Sequence, residues 1–424
     1  MKRSNTITAV FFLVFLAAMA LLTCLGLPSI WTDLVQGWQN QEDPSDRSLI
    51  AKAVYVTEHT EAALNETLDG SHLFIQLYGG VQRLAGRRMV ADVSSDNTVT
   101  KLSTGALTFC GLDNQYTAPT LQAERTAALA QYVESLGASF LAAVAPEKIP
   151  PEGGQLPAGV NEYGNDYADA FLHLTAQAGV DTLDLRPAFL ESGRWEDLFF
   201  VTDHHWNADG AFLAYQTLAA ELEDRYGYVT AQVYTDPDSY ERTVYEDLFL
   251  GSQGKRVGSL YAGVDDFAVY TPKFDTSFTY TTPYETRSGS FQQALCFPEY
   301  IQQRDWFNGN PYVYYSGGDF GVSTIVNESD PDGPTVVLLR ESFSCALTPF
   351  LALSCGKLVT IDLRYFEGDL SSTLAELQPD LVTLLYSASS FRLENLFEFG
   401  LCPSVLLTIG TPERGPRQAG PFAF

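Results

Sequence analysis

Thr335-Val336-Val337-Leu338-Leu339, running at once into Arg340-Glu341-Ser342-Phe343-Ser344, carries the strongest signal of the fold. Five apolar or β-branched residues without alternation describe a strand covered on both faces, the environment of a central strand in a parallel sheet. Beyond it, 343–355 has the composition of a helix closed by Gly356, 358–363 that of a strand, 371–377 of a helix and 381–386 of another strand. Upstream the same alternation recurs. Thr120 can cap a helix to Leu136 that Gly137 stops, 139–144 follows as a buried strand, 166–178 as a helix stopped by Gly179, and 181–185 as a strand. Helices alternating with strands cover both faces of one sheet, so the expected fold class is α/β, a three-layer α/β/α sandwich.

Between these halves, 228–333 turns to Tyr, Thr, Phe, Gly and Asp, which suggests an insertion made mainly of strands and loops. At the amino end no charged residue occurs from Ser4 to Thr32, and 7–27 is almost wholly apolar, long enough to cross a bilayer as one helix. Lys2 and Arg3 precede the run and no basic residue closely follows. The expectation is therefore an uncleaved single-pass anchor, amino terminus in the cytoplasm and the rest outside, with a cleaved signal peptide as the rival. The expected organisation is tip and anchor at 1–28, juxtamembrane linker at 29–47, α/β domain at 48–410 with its insertion, and a Pro/Gly/Arg-rich tail at 411–424.

Composition narrows the function. With 52 acidic and 25 basic residues the net charge is -27, which repels phosphate backbones and argues against a nucleic-acid partner. Six scattered cysteines make neither a disulfide framework nor a zinc site, and Cys345 and Cys355 read as small buried residues.

The chemistry concentrates in two places. Only five histidines exist, His59, His72, His173, His204 and His205, and two of them adjoin an aspartate after the apolar Phe199-Phe200-Val201. At the end of a strand, Asp203 and His205 two residues apart can point the same way, so that the carboxylate fixes the imidazole tautomer while His204 points elsewhere. Asn207 then caps a helix ending near Arg225. The second place is Ser342, where a strand turns sharply into a helix and a nucleophilic serine is exposed in other hydrolases. Amides near Ser342 and Phe343 can donate there to a developing oxyanion. Serine is also a common helix cap, and a His-His-Trp run can be capping and packing alone. For the rest of an oxyanion hole the candidates are Gly317 and Gly318, paired glycines that more often make a turn. Trp306, Phe307, Tyr312, Tyr314 and Tyr315 could stack on sugar rings, though such a stripe is more often local β core, and Trp206 reads as a packing residue that fixes its loop sooner than as a ligand platform. A metal site at Asp203, His204 and His205 is a third reading, disfavoured because adjacent histidines rarely converge on one ion.

Asp203-His204-His205-Trp206, with Ser342-Phe343-Ser344 on a later turn, resembles the DHHW proteins, relatives of the alginate O-acetyltransferase group within the SGNH hydrolase-like fold. Leu77-Tyr78-Gly79-Gly80, Ala145-Pro146-Glu147-Lys148, Tyr315-Ser316-Gly317-Gly318-Asp319 and Asp362-Leu363-Arg364-Tyr365 are weaker matching pieces. The resemblance implies Ser342 as nucleophile, His205 as general base and Asp203 as the group orienting it, with no cofactor and no metal. It further implies transfer or hydrolysis of an O-acyl group, acetyl foremost, on a cell-surface or cell-wall polysaccharide, with a membrane-bound O-acyltransferase as the acyl donor of a transferase. One departure stands out. Glu341 precedes the serine where such proteins often carry Asp or a small residue, and its longer carboxylate either disturbs the oxyanion site or points to solvent. A non-catalytic polysaccharide-binding shell is the alternative that this departure favours.

Overall fold

The computed structural model describes residues 2–39, 52, 54–57, 59–60, 72–92, 97–112 and 115–401. The expected tail at 411–424, residues 40–47 of the expected linker, and Cys402 lie outside them. The chain divides into two compact units, 1–81 and 82–424.

In the first unit a helix runs from Lys2 to Gln39 with Pro28 inside it. The break expected at residue 28 is therefore absent, and 29–39 is helical. Ile30 and Leu34, one turn apart, pack against Val56, while Trp38 sets its ring edge-on to Tyr55 at 5.4 Å. Those apolar contacts favour continuing the helix past the proline. Among the described residues, no helix is long and apolar enough to cross a membrane. The side chains of 2–9, 11, 15, 18, 19, 22 and 33 lie outside that description.

The second unit holds the sheets. Strands β1 (Met89–Ala91), β2 (Thr98–Lys101) and β3 (Leu107–Phe109) pair antiparallel in a small sheet of their own. Next along the chain come β4 (Ser139–Ala145), β5 (Asp181–Asp184), β6 (Tyr240–Phe249) and β7 (Asp265–Pro272). They are followed by β8 (Phe278–Thr281), β9 (Thr286–Gly289), β10 (Val322–Asn327), β11 (Thr335–Arg340), β12 (Lys357–Ile361) and β13 (Leu381–Ser387). β6 and β7 pair with each other, and the remaining eight form one sheet in the order β5-β4-β13-β11-β12-β10-β8-β9. β5 through β12 in that order run parallel, and β10, β8 and β9 continue the sheet antiparallel. The sheet is thus mixed: the Tyr- and Thr-rich 228–333 segment supplies three of its strands besides the β6–β7 pair, so it is built into the same layer.

β11 lies between β12 and β13, the interior position that its unbroken apolar run requires. Its side chains alternate between two cores. Val337 and Leu339 join Phe140, Ala142, Leu384 and the helices Thr120–Ser135 and Gly164–Gln177 on one face. Val336 and Leu338 join Leu141, Ala143, Leu385 and the helices Ala208–Tyr226 and Ser344–Leu351 on the other. Each fully buried Leu or Phe contributes about 1.5–3 kcal/mol, which makes these two apolar layers the dominant support of the sandwich. Gly137 and Gly179 end their helices with φ of +86° and +85°, where a side chain would be strained. Thr120 is the first residue of its helix and not its cap; Pro119 precedes it and makes no capping hydrogen bond. Asn207 does cap, its side chain accepting from the Gly210 amide at 3.1 Å.

Candidate active site

The parallel strands β4, β11, β12 and β13 present their carboxyl ends together, so Glu147, Ser342, Arg364 and Ser387 converge on one rim of the sheet. Open α/β sheets bind ligands at such rims. The Asp203 loop reaches the same rim by another route. Phe199-Phe200-Val201 is not a strand of the sheet; Phe199 and Trp206 form an isolated antiparallel bridge, and the amide of Phe200 donates to the His205 carbonyl at 3.2 Å. The residues between them are thereby pinched into a tight turn.

Partners far along the sequence hold this turn in place. Both oxygens of Asp265, at the start of β7, accept from the loop: the Val201 amide at 2.7 Å, the Thr202 amide at 2.8 Å and the Thr202 hydroxyl at 2.6 Å. Gly251 donates to the Thr202 hydroxyl at 2.8 Å and Gly254 to its carbonyl at 2.8 Å. A β-carbon on Gly251 would stand 2.2 Å from that of Asp203, so only glycine permits this approach. Lys148 closes the loop from below. Its ammonium donates to the carbonyls of Leu107 at 2.6 Å and Val201 at 3.0 Å and to Gln253 Oε1 at 3.3 Å, and burial pushes it down to about 8 against the pull of Asp265 and Asp203.

Within this frame the three expected side chains meet. His205 Nε2 lies 2.8 Å from Ser342 Oγ, and His205 Nδ1 lies 2.5 Å from Asp203 Oδ1. Asp203 also accepts from the amides of His205 at 3.1 Å and Ser252 at 2.6 Å. Burial opposes its charge, yet the imidazoles of His204 and His205 and these hydrogen bonds together hold its carboxyl well below the usual carboxylate range. An ionised Asp203 accepts a hydrogen bond from Nδ1–H, which leaves Nε2 as an acceptor for the serine hydroxyl. Tyr312 stacks on the His205 ring, with centroids 3.8 Å apart and planes 14° from parallel, and fixes the imidazole from the side.

His204 does not point away as the spacing suggested. Its ring packs on His205 at 3.8 Å and hydrogen-bonds Ser252 Oγ through Nδ1 at 2.9 Å, while burial and the neighbouring His205 depress its basicity. Ligand atoms of Asp203, His204 and His205 lie within 4.8 Å of one another, the spacing a metal ion needs. Both His205 nitrogens are nevertheless engaged by Asp203 and Ser342, and His204 Nδ1 by Ser252, so this donor set fits an ion poorly.

Glu341 is buried and does not point to solvent. Its Oε1 accepts from the Ser387 amide at 3.1 Å, while Oε2 lies 3.3 Å from the Phe343 amide and 3.2 Å from Ser342 Oγ. Burial raises its carboxyl above the ordinary value, with Arg364 and the Ser387 and Phe343 amides working the other way. The amide expected to serve an oxyanion is thus covered by this side chain.

The weaker candidates fall elsewhere. The Gly317 amide donates to the Val313 carbonyl at 3.1 Å, and the Gly318 carbonyl accepts from buried Arg340 at 2.7 Å, so this pair shapes a turn around an arginine. Tyr315 is buried, its hydroxyl accepting from the Tyr270 amide at 2.7 Å. Trp206 is fully buried and donates to the Phe343 carbonyl at 2.8 Å, packing beneath the nucleophile without offering a surface to substrate. Trp306 is partly exposed but hydrogen-bonds the Asp247 carbonyl and lines neither cavity that meets Ser342. Asp265, Gly251 and Ser252 carry positioning roles that no local motif announces, while Tyr312 and Lys148, singled out in the sequence for other reasons, turn out to position the histidine and its loop.

Two cavities open on the serine. One of about 480 Å3 is bounded by Glu147, Glu162, Tyr163, Glu341, Phe343 and Arg364, the other of about 530 Å3 by His205, Ser252, Lys255, Asn310 and Tyr312.

Residues 112–252 match the SGNH hydrolase-like domain of the acetyltransferase AlgX, and 187–359 match the DHHW protein family. No curated protein matches the chain significantly. The structure of Bacillus cereus PatB1 with a sulfonyl adduct superposes with a TM-score of 0.59 at 21% identity, covering 72% of this chain and 99% of that one. A DHHW family protein from Eubacterium siraeum superposes with a TM-score of 0.52 at 19% identity, covering 73% and 98%. At such identities these likenesses speak for a shared α/β, SGNH-like fold. Over 187–359 the chain is thus similar to the DHHW family, and over 112–252 to an AlgX-like SGNH hydrolase-like domain.

Proposed function

We propose that the second unit is a serine-dependent O-acyl transfer enzyme that works through an acyl-Ser342 intermediate. The observation that carries this reading is the hydrogen-bonded line Asp203–His205–Ser342, buried at its carboxylate end and open to two cavities at its hydroxyl end. His205 takes the hydroxyl proton as Ser342 attacks an ester carbonyl, and returns it to the departing alcohol. Asp203 keeps the imidazole in the required tautomer and balances its transient charge. The oxyanion then claims the Phe343 amide, which requires Glu341 to turn aside or to be protonated.

The acyl group in this reading is acetyl and the acceptor a hydroxyl of a cell-surface or cell-wall polysaccharide. The match to an acetyltransferase domain supports the first, and the resemblance of the DHHW and serine motifs to the alginate O-acetyltransferase group supports the second. Hydrolysis differs only in water reaching the acyl-enzyme before a sugar. A single-pass anchor at 7–27 that places the enzyme outside the membrane, with a membrane-bound O-acyltransferase as donor, completes the proposal; the uncharged run behind Lys2 and Arg3 supports the anchor. Deleting 1–28 should then release the chain from the membrane fraction, and retention of the deleted form would count against the anchor.

A non-catalytic glycan-binding role is the second reading, favoured by the Glu341 carboxylate lying against both the serine hydroxyl and the Phe343 amide. Turnover of a chromogenic acetyl ester by the second unit, with and without Ser342→Ala, separates the two. Loss of turnover in the variant supports the enzyme; equal rates in both proteins would remove Ser342 from the account.

A further inference from the structure

Of all the residues bounding the two cavities at the serine, only His204 and Ser342 border both. His205 and Tyr312 border the 530 Å3 cavity alone, whereas Phe343 and Glu341 border the 480 Å3 cavity alone. The residue of proton transfer and the residue whose amide serves the oxyanion therefore border different spaces. Resting on the acyl-serine reading above, we propose that the two cavities divide the ester between them. The alcohol portion of donor and acceptor occupies the His205 cavity, and the acyl portion extends into the Phe343 cavity.

Proton transfer dictates the first half. In acylation the bond from Ser342 Oγ to the carbonyl carbon forms as the carbon–alkoxy bond breaks, and the serine proton passes through His205 Nε2 to the leaving alkoxide. Deacylation runs the same exchange backwards, with His205 taking the acceptor's hydroxyl proton as the acceptor oxygen bonds to the carbon and Oγ departs. Leaving and entering alcohols must both lie within hydrogen-bond reach of Nε2, so one space serves both in turn. Ser252, Lys255 and Asn310 line that space with hydrogen-bonding groups suited to a polyhydroxylated sugar. Donor alcohol and acceptor thus exclude one another, and the kinetics are ping-pong.

Geometry at the carbonyl supplies the second half. With the alkoxy group towards His205 and the oxyanion on the Phe343 amide, the remaining substituent points into the 480 Å3 space beside Glu341. That volume falls in the range that holds whole small-molecule ligands and far exceeds an acetyl group. The site accordingly tolerates acyl chains longer than acetyl.

The direct test is the crystal structure of the full-length protein after reaction with phenylmethanesulfonyl fluoride, in which Ser342 Oγ bonds to sulfur, fluoride leaves and the serine proton passes to His205. The benzyl group stands where the acyl substituent would. It is expected in the cavity bounded by Glu341 and Phe343; a benzyl group beside Lys255 and Asn310 overturns the division while leaving the nucleophile intact. Absence of any adduct at Ser342 overturns the acyl-serine reading and this inference with it. Two variants give a kinetic check. Asn310→Trp should raise the KM for a sugar acceptor at least fivefold, and Ser389→Trp, in the wall of the 480 Å3 cavity, should lower the ratio of butyrate to acetate ester turnover at least fivefold. Exchange of those two effects, or neither effect, contradicts the assignment.

Discussion

Replacing Glu341 by Gln should accelerate the enzyme at alkaline pH and leave it nearly unchanged at acid pH. The carboxylate sits 3.3 Å from the Phe343 amide and 3.2 Å from the serine hydroxyl, so an oxyanion taking that amide forms about 4 Å from it. Two unit charges at about 4 Å repel by about 4 kcal/mol at an effective dielectric near 20, close to a thousandfold in rate. Arg364 offsets part of this repulsion, which brings the expected gain to roughly ten- to a hundredfold. The direction with pH follows from burial, which raises the Glu341 carboxyl above its ordinary value. Below that raised value the native side chain is neutral and resembles Gln; as pH climbs through it, the native enzyme acquires the opposing charge and the variant does not. The ratio of variant to native kcat should therefore start near one and rise with pH. Either orientation of the new amide leaves one N–H facing a backbone N–H, so about 1 kcal/mol of stability is lost. Ester hydrolysis by both proteins from pH 5 to pH 9 measures the ratio. A variant tenfold or more slower throughout would show that the charge is required and would refute the reasoning.

Asp203→Asn should cut kcat by about a thousandfold or more with the fold intact, because the amide holds His205 in the wrong tautomer; steady-state kinetics with a circular-dichroism control check it. Gly251→Ala forces a β-carbon to 2.2 Å from that of Asp203, and should destabilise the unit by about 1–3 kcal/mol, read as a lowered Tm and reduced turnover. Tyr312→Phe keeps the ring on His205 but loses the 2.9 Å hydrogen bond to the Phe343 carbonyl, which Trp206 also serves. A loss of about 1 kcal/mol, near fivefold in kcat, is expected; a loss beyond a hundredfold would give its hydroxyl a direct part in the chemistry.

What could be seen in the sequence divides along physical lines. β11 was legible because a central parallel strand must be apolar on both faces, and Thr335 to Leu339 has nothing else to offer. The helix stops at Gly137 and Gly179 were legible because positive φ selects glycine. Asp203, His205 and Ser342 could be singled out by chemistry and by family resemblance, but nothing local says that residues 137 apart in sequence lie 2.8 Å apart in space. The supports stayed hidden for the same reason: Asp265 and Gly251 look like ordinary turn residues until Thr202 and Asp203 stand against them. Phe199 to Val201 misled because an apolar triplet suits a buried turn braced by an isolated bridge as well as a strand. Tyr315 and Trp206 stayed open between two readings because aromatics that could stack on sugars are equally good core, and full burial decides for the core.

Reaction of the second unit with a fluorophosphonate, followed by peptide mapping, asks most directly whether Ser342 is an activated nucleophile. One stoichiometric adduct on Ser342 is expected, absent from Ser342→Ala and formed at least a hundredfold more slowly in His205→Ala. An unlabelled Ser342, or labelling at the same rate without the imidazole, would contradict the account.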